Sequence, residues 1–121
     1  MSKPNNLKIY SKEEIKTGEY WIDGKAIYRK VFTFTTTSNE STTTKKSIDV
    51  SGLNIDTLIN RYGSLDSSST IYNLERCEGD NLYTRIELDG SKTSLLYVTR
   101  GPNSYYSGDV MMVIEYTKTT D

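Results

Sequence analysis

The sequence predicts an all-β chain, an antiparallel β-sandwich or small barrel that carries one short helix. Three observations predict it. Short runs rich in Val, Ile, Thr and Tyr recur along residues 19–118, punctuated by turn signals at Asp23-Gly24, Glu78-Gly79-Asp80-Asn81, Asp89-Gly90-Ser91-Lys92 and Gly101-Pro102. Several runs alternate apolar and polar residues, the period of two that turns one face of a strand toward a core. The chain has 121 residues, 35% of them hydrophobic, which is enough for one domain with a solvated face but not for two domains. Residues 1–16 read as a polar arm and residues 17–121 as the β-domain.

The arm opens with a Pro-Asn-Asn turn signal, and its Leu7, Ile9 and Tyr10 are apolar enough to dock on a partner. Residues 19–34, EYWIDGKAIYRKVFTF, read as a hairpin about Asp23-Gly24, because a two-residue turn needs positive φ and this dipeptide tolerates it. That turn pairs Trp21 with Ala26 and Tyr20 with Ile27. One face then holds Trp21, Ala26, Tyr28, Phe32 and Phe34, expected in the core. The other holds Tyr20, Ile22, Ile27 and Val31, and Tyr20, Ile22 and Ile27 are expected against the arm or a neighbouring subunit.

Thr/Ser-rich residues 35–46 read as a long hairpin tip or loop, and residues 47–51 as a short strand with Ile48 and Val50 inward. Residues 54–63, NIDTLINRYG, carry Ile55, Leu58, Ile59 and Tyr62 at i, i+3, i+4 and i+7, which predicts the one helix, a lid over an open end. Strands are then predicted over residues 70–76, 82–88, 93–99 and 110–117. The last puts Val110, Met112, Ile114 and Tyr116 on one face.

Histidine is absent and Cys77 is the one cysteine, which excludes Ser-His-Asp and Cys-His machinery, imidazole metal ligands and an internal disulfide. Cys77 is expected as a small buried strand residue. The net charge is −1, so no basic surplus points to nucleic acid, and no run has the length needed to span a bilayer. No signal-peptide pattern opens the chain, so it is expected to be made in a cytoplasm. Neither metal nor cofactor is expected. The acids Glu75, Glu78, Glu87, Asp89 and Glu115 lie on strands or turns with no spacing that demands a catalytic pair. Ten tyrosines make the chain unusual, and the loop Asn103, Ser104, Tyr105, Tyr106 with Asp109 is the candidate glycan contact. The competing reading packs the same tyrosines on a neighbouring loop or subunit.

The segment YSKEEIKTGEYWIDGKAIYRKVF resembles the "YSTEEQxxGxWIDGKPIYRKT" stretch of small domains in bacteriophage tail-fibre, baseplate and head-fibre proteins. VMMVIEYTKTTD is similar to the "YVxxEYTKTTD" end of those domains, and NIDTLINRYGSL to their "NIDxxxxxYG" stretch. Ala26 stands where that pattern has Pro, and residues 35–46 and 64–81 match nothing in it. The resemblance implies a jelly-roll-like β-sandwich, a homotrimer and a non-enzymatic virion component. Its partners would be other virion proteins and host surface polysaccharide. The interface would involve Tyr20, Ile22, Ile27, Leu7, Ile9 and Tyr10. A free-standing carbohydrate-binding or host-interaction module is the competing expectation.

Overall fold

The computed structural model describes residues 8–120. Nine strands follow in order: β1 Ile15–Tyr20, β2 Ala26–Thr36, β3 Thr44–Asp49, β4 Ile55–Asp66, β5 Ile71–Asn73, β6 Cys77–Gly79, β7 Leu82–Leu88, β8 Ser94–Arg100 and β9 Gly108–Lys118. They form two antiparallel sheets, one ordered β1-β2-β9-β4-β5 and the other β3-β8-β7-β6. One apolar cluster joins them, with Leu65, Val110, Met112, Ile114 and Tyr116 from the first sheet and Ile86, Leu95 and Tyr97 from the second. The fold is therefore the all-β sandwich expected. The chain changes sheet between β2 and β3, β3 and β4, β5 and β6, and β8 and β9, and β9 returns to lie between β2 and β4, which is jelly-roll-like wiring.

Register explains the core. Phe34 lies opposite Val110, Phe32 opposite Met112 and Tyr28 opposite Tyr116. Alternation then carries all six toward the second sheet, where Phe34 meets the Tyr97 ring edge-on at 5.3 Å. Burying a side chain such as Ile114 or Met112 completely stabilises the sandwich by roughly 1.5–3 kcal/mol.

The predicted helix over residues 54–63 is instead the first part of β4. A bulge produced the first step of its apolar spacing. Ile55 pairs with Lys118 and Leu58 with Tyr116, so three residues on β4 span two on β9. A second shift follows between Leu58 and Asn60. The extra residue turns the Ile55-to-Leu58 spacing from two into three, while Tyr62, opposite Val113, lies on the outer face, so apolar residues from both faces imitate one helical face. Asn54, in the left-handed conformation at φ 54°, closes a 3₁₀ turn at Ser51–Leu53 and launches the strand. The short α-helix, α1, is a single turn at Asn103–Tyr106.

The hairpin also differs from expectation. Tyr20 pairs with Ala26, one residue away from the predicted partner. The Trp21 N–H bonds the Lys25 carbonyl at 2.9 Å, so the loop has three residues, with Gly24 left-handed at φ 87° in its last position. Trp21 consequently leaves the core face and is only half-buried. Cys77 is exposed on β6 rather than buried, because that edge strand has just three residues and packs little.

No helix among the described residues is long and apolar enough to cross a membrane.

Two expectations follow. Gly63 has φ 152°, and a Cβ there would sit 2.0 Å from the Met111 carbonyl oxygen, while a Cβ on Gly90 meets nothing within 4 Å. Gly63→Ala should cost about 2–4 kcal/mol in urea unfolding and Gly90→Ala under about 0.5 kcal/mol. Equal effects would show that the β4–β9 approach is not tight. Separately, the Tyr97 hydroxyl is fully buried beside Thr84 without a hydrogen bond of good geometry. Tyr97→Phe should leave the thermal midpoint unchanged or raise it, and a clear drop would mean the hydroxyl has a partner in solution.

Candidate functional site

The residues singled out as candidate contacts fall in three separate places. The first is the β1–β2 hairpin tip. Ile22 is 91% exposed and Tyr20 69% exposed, neither of them against the arm. The tip is nonetheless firmly built. The Gly24 N–H bonds the Trp21 carbonyl at 2.9 Å and the Lys25 N–H bonds Asp23 Oδ1 at 3.0 Å. Lys25 Nζ then reaches Asp56 at 2.7 Å, tying the loop to β4. Ile27 is half-buried, and its carbonyl accepts the Thr17 hydroxyl at 2.8 Å.

The second place is the arm, whose described residues dock on β2 and β9 of their own domain. The Val31 N–H bonds the Ser11 carbonyl at 2.9 Å, and Arg29 Nη1 donates to the Ile9 carbonyl at 3.1 Å. The Arg29 guanidinium lies 4.9 Å over the Tyr10 ring. Beneath that ring, Arg29 Nε meets Glu115 at 2.7 Å, and the Tyr62 hydroxyl donates to the same carboxylate at 3.3 Å. Burial works against the Arg29 charge, but the Glu115 hydrogen bond and charge outweigh it and hold the guanidinium above its ordinary pKa. On the other side of β2, Glu14 accepts from the Tyr116 hydroxyl and from Lys118 Nζ at 2.6 Å. Ile9 and Tyr10 stay about half exposed. Leu7 lies outside the described residues.

The third place, the loop between β8 and β9, holds the candidate glycan contacts, and the structure divides them. Tyr106 is completely buried and cannot stack on a ligand; the alternative role of packing on a neighbouring loop is the one it takes. Its hydroxyl donates to Glu78 at 2.7 Å, and its ring meets Tyr72 edge-on at 5.2 Å. The loop is pinned as well by the Ser38 N–H to Ser107 Oγ at 3.0 Å and Ser38 Oγ to the Pro102 carbonyl at 2.9 Å. Asn103, Ser104 and Tyr105 remain on the surface. Asp109 is exposed and is the second residue of β9, paired with Asp66. The pinning could be read from neither end of the chain, since its partners are dozens of residues away.

All five carboxylates considered as possible acids are engaged. Glu75 pairs with Arg61 at 2.8 Å and accepts the Ile86 N–H at 3.1 Å. Glu78 pairs with Arg76, Glu87 with Arg85 and Glu115 with Arg29. Asp89 accepts the Thr93 and Ser94 N–H groups at 2.9 and 3.0 Å and so caps the β7–β8 turn. No group of three or more His, Cys, Asp or Glu placed to hold a metal occurs among the described residues. The groove lined by Leu58, Arg61, Ile86 and Leu88, about 580 Å³, opens at the side of the sandwich between β4 and β7.

Comparison with protein-family models, with curated proteins and with solved structures finds no match.

The Tyr106 hydroxyl, then Arg76, hold the Glu78 carboxyl below the usual glutamate range. Asp89 is lowered by the Ser94 N–H and its neighbours, and Asp56 by Lys25. A depressed folded pKa means that the unfolded chain binds more protons in acid. The stabilisation is thus complete above the unfolded value near 4 and is lost as pH falls below it. Thermal midpoints should drop below about pH 4, and Glu78→Gln should flatten that decline while lowering the neutral-pH midpoint. An unchanged acid profile in Glu78→Gln would assign the decline to other carboxylates.

Proposed function

We propose that this chain is a non-enzymatic structural and adhesive component of a bacteriophage particle. It would work as part of a homo-oligomer, a trimer on the resemblance of its motifs to fibre and baseplate domains. One observation carries the reading. The segment that bears the longest motif, residues 10–32, folds into a stiff hairpin whose apolar tip, Tyr20 and Ile22, points into solvent while its polar groups are satisfied internally. Withdrawing an exposed Ile from water contributes about 1.5–3 kcal/mol, so the tip rewards association and nothing in the lone chain. Engagement of every candidate acid in a pair or a cap favours a scaffold role over acid/base chemistry. The surface residues Asn103, Ser104 and Tyr105 offer polar and aromatic contact to host surface polysaccharide. Weak contacts of that kind become useful when many copies act together.

The test is localisation: a tagged chain imaged on intact particles should decorate a tail tip, baseplate or head fibre. In sedimentation, wild type should be oligomeric, and Ile22→Asp with Tyr20→Ala should release monomers at an unchanged thermal midpoint. A tagged chain absent from purified particles would overturn the proposal, and glycan binding by free monomers would favour the free-standing module instead.

A further inference from the structure

The two sheets are both left with a long bare edge on the same side of the sandwich. Among the described residues, β5 pairs with β4 only from Ser64 to Asp66, and β6 pairs with β7 only at Leu82 and Tyr83. The rest of β4 and the rest of β7 flank the groove of about 580 Å³. Such an edge offers its N–H and C=O groups to any chain that can pair with it. Leu58, Ile86, Leu88 and Leu96 line the groove and add apolar surface to that offer.

The chain crosses from one sheet to the other at this opening. Leu74 still belongs with the first sheet, its N–H bonding the Gly63 carbonyl at 3.0 Å. Arg76 already belongs with the second, its carbonyl accepting the Thr84 N–H at 2.7 Å. Outward N–H groups alternate along an antiparallel strand, so the next one on this edge after Thr84 is that of Ile86. A continuing strand would offer it the carbonyl of Leu74, but the backbone has by then turned to β4. Glu75 fills the place. Its Oε2 accepts the Ile86 N–H at 3.1 Å, and its Oε1 meets Arg61 Nε of β4 at 2.8 Å. Ile86 is buried, so without the carboxylate its N–H would have little access to water.

We propose that Glu75 is an edge guard, an autoinhibitory contact that stands in for a strand and keeps β7 from pairing with the β7 of a second copy. The sequence of β7 identifies that competitor. Leu82-Tyr83-Thr84-Arg85-Ile86-Glu87-Leu88 is rich in residues that favour strands. Two such edges can pair antiparallel about a two-fold axis in the register that sets Ile86 against Ile86. Each Ile86 N–H then gains a backbone carbonyl, Thr84 stands opposite Leu88, and Arg85 of each copy stands opposite Glu87 of the other. No like charges meet, so charge does not forbid this pairing. Glu75 prevails because it is tethered in the same chain and gives up no translational freedom to reach Ile86. The guard takes no part in the hairpin tip, so the inference does not rest on the proposed function.

The experiment compares Glu75→Ala with the unaltered edge, both in the Ile22→Asp background so that the tip contributes nothing. In dilute solution the Ile86 amide should exchange hydrogen at least about tenfold faster in Glu75→Ala, while Val98, inside the same sheet, keeps its rate. Sedimentation velocity from about 10 µM to about 1 mM should then show reversible dimers of Glu75→Ala, associating at least about tenfold more tightly than the parent. In those dimers Ile86 should regain protection. Glu78→Gln, which weakens the fold without baring this edge, should behave as the parent does. Circular dichroism checks that each variant is folded. If Glu75→Ala loses structure, Arg61→Ala takes its place: it releases the carboxylate from β4 and should associate more than the parent, and a chain indistinguishable from the parent would overturn the proposal. So would a folded Glu75→Ala no more associated than the parent, dimers in which Ile86 stays unprotected, or equal association by Glu78→Gln.

Discussion

Sheet closure by β9 is the constraint on which the rest of the structure depends. β9 fills the space between β2 and β4, so neither half of the five-stranded sheet is complete until the last strand arrives. Its partners lie about eighty residues back on β2 and about fifty back on β4, for example Phe32 for Met112 and Gly63 for the same residue. Loop-closure entropy must be met before those contacts reward it, and such topologies fold slowly. The second sheet is different. β7 and β8 are joined by a turn that Asp89 caps through the Thr93 and Ser94 N–H groups, which makes it a local hairpin able to form first. Glycine then permits the fit of β9. At Gly63 and Gly108 an added Cβ would stand 2.0 and 2.1 Å from a carbonyl oxygen, far inside van der Waals contact, so the backbones meet where only a hydrogen can lie between them.

Polar groups fix the register that apolar packing leaves loose. Any strand slip that keeps alternation would still bury Val, Met and Ile. The Arg29–Glu115 pair allows one alignment of β2 on β9, because displacement by two residues would leave a guanidinium buried without its carboxylate. Such a pair adds little net stability over an apolar substitute, since desolvation offsets most of the attraction, but losing one partner costs about 3–5 kcal/mol. Its value lies in specificity. The arm extends the same device. Tyr10 roofs the pair, Ile9 and Ser11 offer carbonyls to Arg29 and Val31, and Glu14 takes up Tyr116 and Lys118. The described part of the arm is held by the carbonyls, the carboxylate and the ring that it offers to β2 and β9.

How far the sequence could be read follows from the same physics. β7, β8 and β9 are regular, so alternation at Leu82–Leu88 and Val110–Tyr116 carried through to the fold. β4 is irregular. A bulge resets the Ile55-to-Leu58 spacing from two to three, and with Tyr62 from the opposite face the run matches a helix as well as a strand. Periodicity measures spacing, and only a partner strand reveals an inserted residue. The hairpin failed by one residue for a related reason. Asp-Gly suits a two-residue turn, yet it also completes a three-residue loop with Gly24 left-handed, and that choice moved Trp21 out of the core. Tyr106 was hidden because its environment comes from Tyr72, Glu78 and Ser38, on segments far apart in the chain. Side-chain type marked it as useful to a surface or a core, and tertiary contact made the choice.

The two unsatisfied surfaces share one sheet but not one end of it. β2 runs from Ala26 beside the hairpin tip to Thr35 beside the acidic groove that Asp66, Asp109 and Met111 line, a distance of roughly 30 Å at the rise of an antiparallel strand. Each surface is small, the tip offering two apolar residues and the groove a few strands' width. The groove alone is too narrow for a lasting complex of two free chains. On copies already tethered, however, the effective concentration rises to the point where contacts of this size are occupied. On the function proposed above, a sandwich with an exposed apolar tip at one end of its longest sheet would join an array of copies. The spacing of tip and groove is set by β9, because the strand that completes the core is also the strand that holds Met111 and Asp109 a fixed distance from Tyr20 and Ile22.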